Sequence, residues 1–237
     1  MSKWRRLGSA VTEVNMQKQY DIIAFDLDGT LSDPAHGLVE GFVYAFRKLG
    51  VDYGTRESLK RFIGPPLIET WMPEFGFTYE EAEEAVILFR EYYNIYGWWD
   101  NVIYEGIREL LAALKAAGKT VVLTTSKPED TAEDILALFD IRKYFDFVGG
   151  ASSHKTRERK SEVIDYVLGS IGADKEARKR CVLIGDRVYD ARGAAECGID
   201  SIGVLWGHGS AEEIAKSGFT YTASSPIEVL KMLLCSE

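Results

Sequence analysis

Ile22-Ile23-Ala24-Phe25-Asp26-Leu27-Asp28-Gly29-Thr30 sets an apolar run directly against two carboxylates and a glycine. The run has strand length and stops where the polar residues begin, so Asp26 and Asp28 are expected at the carboxyl end of a strand. Residues i and i+2 of a strand project to the same side, which directs Asp26 and Asp28 at one small site with Leu27 turned away. Two ionised carboxylates held that close repel one another unless a cation lies between them, so the pair implies a divalent metal. Gly29 permits a sharp turn that a bulkier residue resists. A calcium loop would also open on Asp-x-Asp, but it needs glycine at its sixth position and glutamate at its twelfth. This chain has Leu31 and Gly37 there.

Further short apolar runs follow, each leading into a helical pattern: Thr120 to Thr124, Phe145 to Val148, Cys181 to Ile184 and Ser201 to Leu205. That alternation predicts an α/β fold with a parallel sheet flanked by helices. Open parallel sheets carry their ligands outside the carboxyl ends of the strands, so the polar residues at those ends are the candidates for chemistry. The gap between the first and second strands is far longer than one crossover helix needs. Leu38, Phe42, Ala45, Phe46 and Leu49 fall at helical spacing within it, as do Ala82, Ala85, Val86, Phe89 and Tyr93. We read residues 34–105 as an inserted α-helical cap, with Pro34 and Gly106 as hinge points, residues 21–33 and 106–237 as the core, and residues 1–20 as an N-terminal extension. The helix from Ile107 to Ala117 is expected to stop at Gly118.

The chain has 237 residues, 46% of them hydrophobic and 27% charged, ordinary proportions for a globular protein that buries its own core. No run approaches the ~18 apolar residues of a membrane span, and no apolar stretch near the N-terminus has signal-peptide length. The three cysteines, Cys181, Cys197 and Cys235, have no zinc-site spacing and no even pairing, which fits a reducing, cytoplasmic setting. A net charge of -9 disfavours wrapping a nucleic acid and leaves a small ligand as the expected partner.

Asp26 is the candidate nucleophile, attacking phosphorus to form an aspartyl-phosphate, and Asp28 the acid that protonates the leaving oxygen and then deprotonates water. Thr125 and Ser126, after the second strand, offer hydroxyls and N–H groups to phosphoryl oxygens. Ser126 and Glu129 also have the spacing of a helix capping box with Pro128 in the first turn. Lys160 precedes a helix marked by Val163, Ile164, Val167 and Leu168, in place to neutralise phosphate and nucleophile together. Lys155, Arg157 and Arg159 are alternatives close by. After the fourth strand, Asp186 is a natural oxygen ligand for magnesium. Asp190 either supports that metal from behind or caps the helix that ends before Gly198.

In that order, Asp26 and Asp28, Thr125, Lys160, then Asp186 and Asp190 resemble the four motifs of the haloacid dehalogenase superfamily. Asp26 to Leu31, Thr125-Ser126-Lys127-Pro128 and Gly185 to Asp190 look most like its phosphoglycolate phosphatases and related small-phosphoester hydrolases. The resemblance covers nearly the whole chain after Tyr20. It implies a three-layer Rossmann-like core, a mobile cap, and Mg2+ coordinated by Asp26, the backbone carbonyl of Asp28 and Asp186. It also implies a small phosphorylated metabolite as substrate and a monomer or homodimer. Two departures stand out: the third motif lacks the Lys-Pro pair of many relatives, and Arg187 stands where many have a small polar residue.

Substrate choice is expected in the cap, where Lys60, Arg61 and the Gly64-Pro65-Pro66 turn could meet an anion. Trp71, Tyr92, Tyr93, Tyr96, Trp98 and Trp99 could stack on a base, although aromatics at helical spacing more often fill a core. His36, His154 and His208 lack the context of a nucleophilic triad. Rival readings are a phosphomutase or nucleoside 5'-monophosphatase with the same chemistry, a phospho-accepting signalling module, and a non-catalytic phosphate-binding protein.

Overall fold

The computed structural model describes residues 18–152, 157 and 159–234. Most of the N-terminal extension, with His154, Lys155 and Cys235, lies outside the described residues. Strand β1 (Ile22–Phe25) is fully buried, and the chain turns after it into a two-residue strand, β2 (Ser32–Asp33). A helical insert follows: α1 (Ala35–Leu49), α2 (Arg56–Leu59), a 3-10 turn over Lys60–Phe62, α3 (Leu67–Phe75), α4 (Tyr79–Tyr92) and a π-helical turn over Tyr93–Gly97. Strand β3 (Val102–Ile103) pairs antiparallel with β2, so entry to and exit from the insert are stitched together.

The remaining elements alternate. They are α5 (Ile107–Ala116), β4 (Thr120–Pro128), α6 (Glu129–Leu138), β5 (Phe147–Ala151), α7 (Lys160–Ser170), α8 (Lys175–Arg178) and β6 (Cys181–Gly185), then α9 (Val188–Glu196), β7 (Asp200–Val204), α10 (Ala211–Lys216), β8 (Tyr221–Ala223) and α11 (Pro226–Leu234). Six strands form one parallel sheet in the order β5-β4-β1-β6-β7-β8. Strand order reverses at β1, which has β4 on one side and β6 on the other. The crevice outside its carboxyl end is therefore the natural ligand site.

Alternation along β1 separates the two faces of the sheet. Ile23 and Phe25 pack with Ile107, Leu110, Leu111 and Leu114 of α5, Ile135 and Leu136 of α6, and Val229 of α11. Ile22 and Ala24 pack with Val163, Ile164, Val167 and Leu168 of α7 and Ala194 of α9. Helices cover both faces, giving the three-layer α/β arrangement. The insert buries a core of its own, in which Trp71 packs edge-on to Phe42 (5.4 Å between ring centres) and tilted against Phe46 (4.8 Å). Among the described residues, no helix is long and apolar enough to cross a membrane.

Two local expectations need correction. Strand β4 does not stop at Thr124 but runs to Pro128, where it still pairs with Ala151 of β5. The capping box of Ser126 and Glu129 consequently does not form. Pro128 is extended, α6 begins only at Glu129, and no side chain caps it. The physical reason is that the sheet continues to recruit the chain through Pro128, whose ring fixes φ but is compatible with extended backbone. Helix α9 ends at Glu196, and Gly198 takes the left-handed conformation (φ 66°) just beyond, as its sequence suggests. Strand β8, too short and polar for the apolar-run criterion, escapes the sequence reading.

Candidate active site

Asp26 extends β1 by one residue, its N–H donating to the Ile184 carbonyl of β6 at 2.9 Å. Asp186 occupies the matching place just beyond β6, and Asp190 lies in the first turn of α9 behind it. Asp26, Asp186 and Asp190 each bring a carboxylate oxygen within 4.8 Å of the others. Lys160, the first residue of α7, is buried among them, its Nζ 2.6 Å from both Asp26 Oδ1 and Asp190 Oδ1. Burial works against its charge, and the pull of Asp190 and Asp26 outweighs it, so the ammonium is held above its ordinary range.

Of the basic residues near position 160 that are described, Arg157 pairs with Glu129 at 3.1 Å and Arg159 with Glu162 at 3.2 Å, both away from the aspartates. Among the described residues, Lys160 is the one the fold delivers to the cluster. A glycine makes room for it: a Cβ on Gly193 would stand 2.8 Å from Lys160 Cγ.

Asp186 is fully buried. Its Oδ2 accepts from the His208 N–H at 2.7 Å, while Oδ1 has no hydrogen-bond partner. Burial, followed by the negative charges of Asp190 and Asp26, pushes its carboxyl up to about 7. Asp190 is likewise raised by burial, and both its oxygens are engaged, one by Lys160 and the other by the Arg187 N–H at 3.0 Å. It therefore serves the helix start and the lysine at once. Three glycines crowd Asp186. A Cβ on Gly29 would stand 2.1 Å from its Oδ2, one on Gly207 2.4 Å from its Cβ, and one on Gly209 2.0 Å from its carbonyl oxygen. Gly29 also has φ 79°, so the turn after Asp28 requires it for conformation as well as for space.

Asp28 places Oδ2 2.7 Å from Lys127 Nζ and leaves Oδ1 buried without a partner. Thr125 is buried, and its hydroxyl accepts from the Lys127 N–H at 3.2 Å. Ser126 points the other way and is exposed. Lys60 pairs with Glu57 at 2.8 Å and lines a cleft of about 260 Å³ with Asp33, His36 and Arg56, at the junction of insert and core. Arg61 pairs with Glu74 within the insert and lies over the Phe62 ring. Among the described residues, neither Lys60 nor Arg61 hydrogen-bonds to the aspartates. Trp71 and Tyr93 are buried in the insert, whereas Tyr96 and Trp99 are about half exposed.

Sequence reasoning missed Lys127, Tyr93 and the Gly207-His208-Gly209 turn. For Lys127 the signal was available: in a strand reaching Pro128, Thr125 and Lys127 share a side, and ending the strand at Thr124 hid it. Tyr93 gave none, because its ring does belong to the insert core while its hydroxyl reaches Lys127 Nζ at 2.7 Å. The glycine turn follows β7, a strand that carried no candidate.

Comparison with known proteins identifies the family. A family model described as haloacid dehalogenase-like hydrolase matches residues 23–204. A 5'-nucleotidase of Pseudomonas aeruginosa is 39% identical over 196 residues, covering 83% of this chain and 87% of the relative. A tyrosine-protein kinase of Mycobacterium tuberculosis is 37% identical over 214 residues, covering 90% of this chain and 72% of the relative. Among solved structures, a haloacid dehalogenase-like family hydrolase from Streptococcus pneumoniae superposes with a TM-score of 0.82 at 31% identity, covering 89% of this chain and 97% of that one. The chain belongs to the haloacid dehalogenase-like hydrolase family, as a phosphatase acting on phosphoric monoesters.

Proposed function

We propose that this phosphatase hydrolyses a small phosphorylated metabolite through a phosphoaspartyl intermediate on Asp26, with Mg2+ as cofactor. The observation that carries this reading is the buried Lys160 ammonium, 2.6 Å from Asp26 and from Asp190, beside an Asp186 oxygen that lacks any partner. An Asp26 oxygen attacks phosphorus, and the ester oxygen departs with a proton from Asp28. Asp28 then takes a proton from water, which displaces phosphate and frees Asp26. Lys160 offsets negative charge on the transferring group, and Thr125 lies on the side of β4 that faces the site.

The residues fit magnesium, a hard cation that prefers carboxylate, carbonyl and water oxygens. Asp26, the Asp28 carbonyl and Asp186 would hold it. Asp190 is less suited, having both oxygens occupied. Bound there, the ion would neutralise phosphoryl oxygens and relieve the repulsion among the carboxylates. In the same reading, residues 34–105 form a cap that closes on the core formed by 21–33 and 106–237 and excludes water.

The motifs favour a phosphoglycolate-like ester. The 39% likeness to a 5'-nucleotidase favours a nucleoside 5'-monophosphate instead. A phosphate-release panel with magnesium across phosphoglycolate, nucleoside 5'-monophosphates and sugar phosphates decides between them. Wild-type protein should release phosphate from at least one compound, and Asp26→Asn should lose at least about 10³-fold. Undiminished release by that variant would sink the mechanism. Transfer to a sugar hydroxyl or a tyrosine without free phosphate would make the chain a mutase or a kinase.

A further inference from the structure

The proposed chemistry needs Asp28 aimed at the ester oxygen, and nothing in β1 aims it, because the side chain lies beyond the strand. Its orientation comes from two residues far apart in sequence. Lys127 Nζ holds Asp28 Oδ2 at 2.7 Å from the end of β4, and the same Nζ donates to the Tyr93 hydroxyl at 2.7 Å. Lys127 and Tyr93 are both buried.

Tyr93 is itself fixed. Its ring lies nearly parallel to that of Phe89, 5.2 Å between centres, and Gly97 abuts it so closely that a Cβ there would come within 2.6 Å of the ring. It begins the π-helical turn that ends α4, an irregularity that redirects side chains and recurs at functional positions. Gly97 is in turn pressed against Gly37 of α1, where a Cβ would meet the Gly97 carbonyl oxygen at 2.1 Å. The hydroxyl is therefore positioned by the insert's own core, and through Lys127 it reports the seating of the insert to Asp28. With Oδ2 held, Oδ1 remains buried and unpartnered, available to the ester oxygen.

We propose that Tyr93 is a positioning residue for Asp28, acting through Lys127, so that the acid is aimed only when the insert is seated on the core. This rests on the reading of Asp28 as the acid. Catalysis by such an acid matters most for a poor leaving group and little for a good one, whereas a general loosening of the site would slow both alike.

The test compares kcat/KM for p-nitrophenyl phosphate with kcat/KM for the alkyl phosphate that wild-type protein turns over best. Tyr93→Phe should lose about tenfold on the alkyl ester and less than about twofold on the nitrophenyl ester. Lys127→Gln should show the same asymmetry, and adding Tyr93→Phe to it should cost nothing further. Equal losses on the two esters, or additive losses in the double variant, would overturn the inference. Because Lys127→Gln reports on the same link from the core side, misfolding of the tyrosine variant does not remove the test. Asp28→Asn is the control for the underlying reading. If it lacks the leaving-group asymmetry, Asp28 is not the acid and the inference falls with it.

Discussion

Gly29 shows how far a single residue can be constrained. It must adopt φ 79°, where a side chain costs about 1–2 kcal/mol, and it must leave room for the Asp186 carboxylate, 2.1 Å from where its Cβ would stand. Neither demand can be relaxed alone, because the turn and the carboxylate share the space. Gly29→Ala should therefore displace Asp186 and lower kcat by about 100-fold, the scale expected of a misplacement near 1 Å. Phosphate release measured beside a thermal melt checks this, and wild-type turnover in the alanine variant would contradict it. Lys160 meets the opposite condition. It is a buried charge tolerated only because two carboxylates surround it, and removing one member of such a group typically costs about 3–5 kcal/mol.

At the scale of elements, the site is assembled where β1, β4, β6 and α7 end or begin, and two of the ties between insert and core lie next to its aspartates. One is the Tyr93–Lys127 bond. The other is Arg187, immediately after Asp186, which donates to the Ile63 carbonyl of the insert and, through Nε, to Glu213 of α10 at 2.9 Å. Gly64 gives the guanidinium its space, since a Cβ there would meet it at 2.6 Å. A small polar residue at position 187 could not span from core to insert, which gives this departure from the family pattern a structural role. Arg187→Ala should raise amide exchange across 59–66 and raise KM by about threefold or more, with a smaller effect on kcat. Unchanged exchange in that segment would show that the tie carries no load.

For the whole molecule, the balance of charge at the site sets the response to metal. Asp26, Asp186 and Asp190 lie within 4.8 Å of one another while Lys160 pairs only with Asp26 and Asp190, so the metal-free protein carries repulsion among the three, which adds to burial in raising the Asp186 carboxyl. Magnesium should therefore raise the melting temperature of wild-type protein, and chelation should abolish turnover. Asp186→Asn removes both the proposed ligand and its share of the repulsion. Its melting temperature without metal should equal or exceed that of wild type, and most of the magnesium-dependent rise should disappear. A full rise in this variant would count against Asp186 as a ligand.

Much of this was legible in the chain because it depended on local physics. The apolar run before Asp26, the alternation of strand and helix patterns, and the helical spacing of residues 34–105 follow from periodicities of two and 3.6, which need no knowledge of partners. Asp26 and Asp186 were recognisable because polar residues at strand ends face the crevice of any parallel sheet, and Asp190 because it opens the helix that follows the second of them. What the sequence could not determine were relations between distant segments. Lys160 was separated from its described basic neighbours, Arg157 and Arg159, only by the packing of α7 against α9. The extent of β4, and with it the place of Lys127, depended on pairing with β5 through Pro128. Tyr93 was read correctly as core, and only the seating of the insert placed its hydroxyl against a lysine 34 positions away. The sequence by itself determined the fold class and the carboxylates of the site, since those are encoded in short-range patterns. The tertiary structure decided which lysines pair with those carboxylates and which hydroxyl one of those lysines meets, since burial and charge pairing exist only once distant elements have packed.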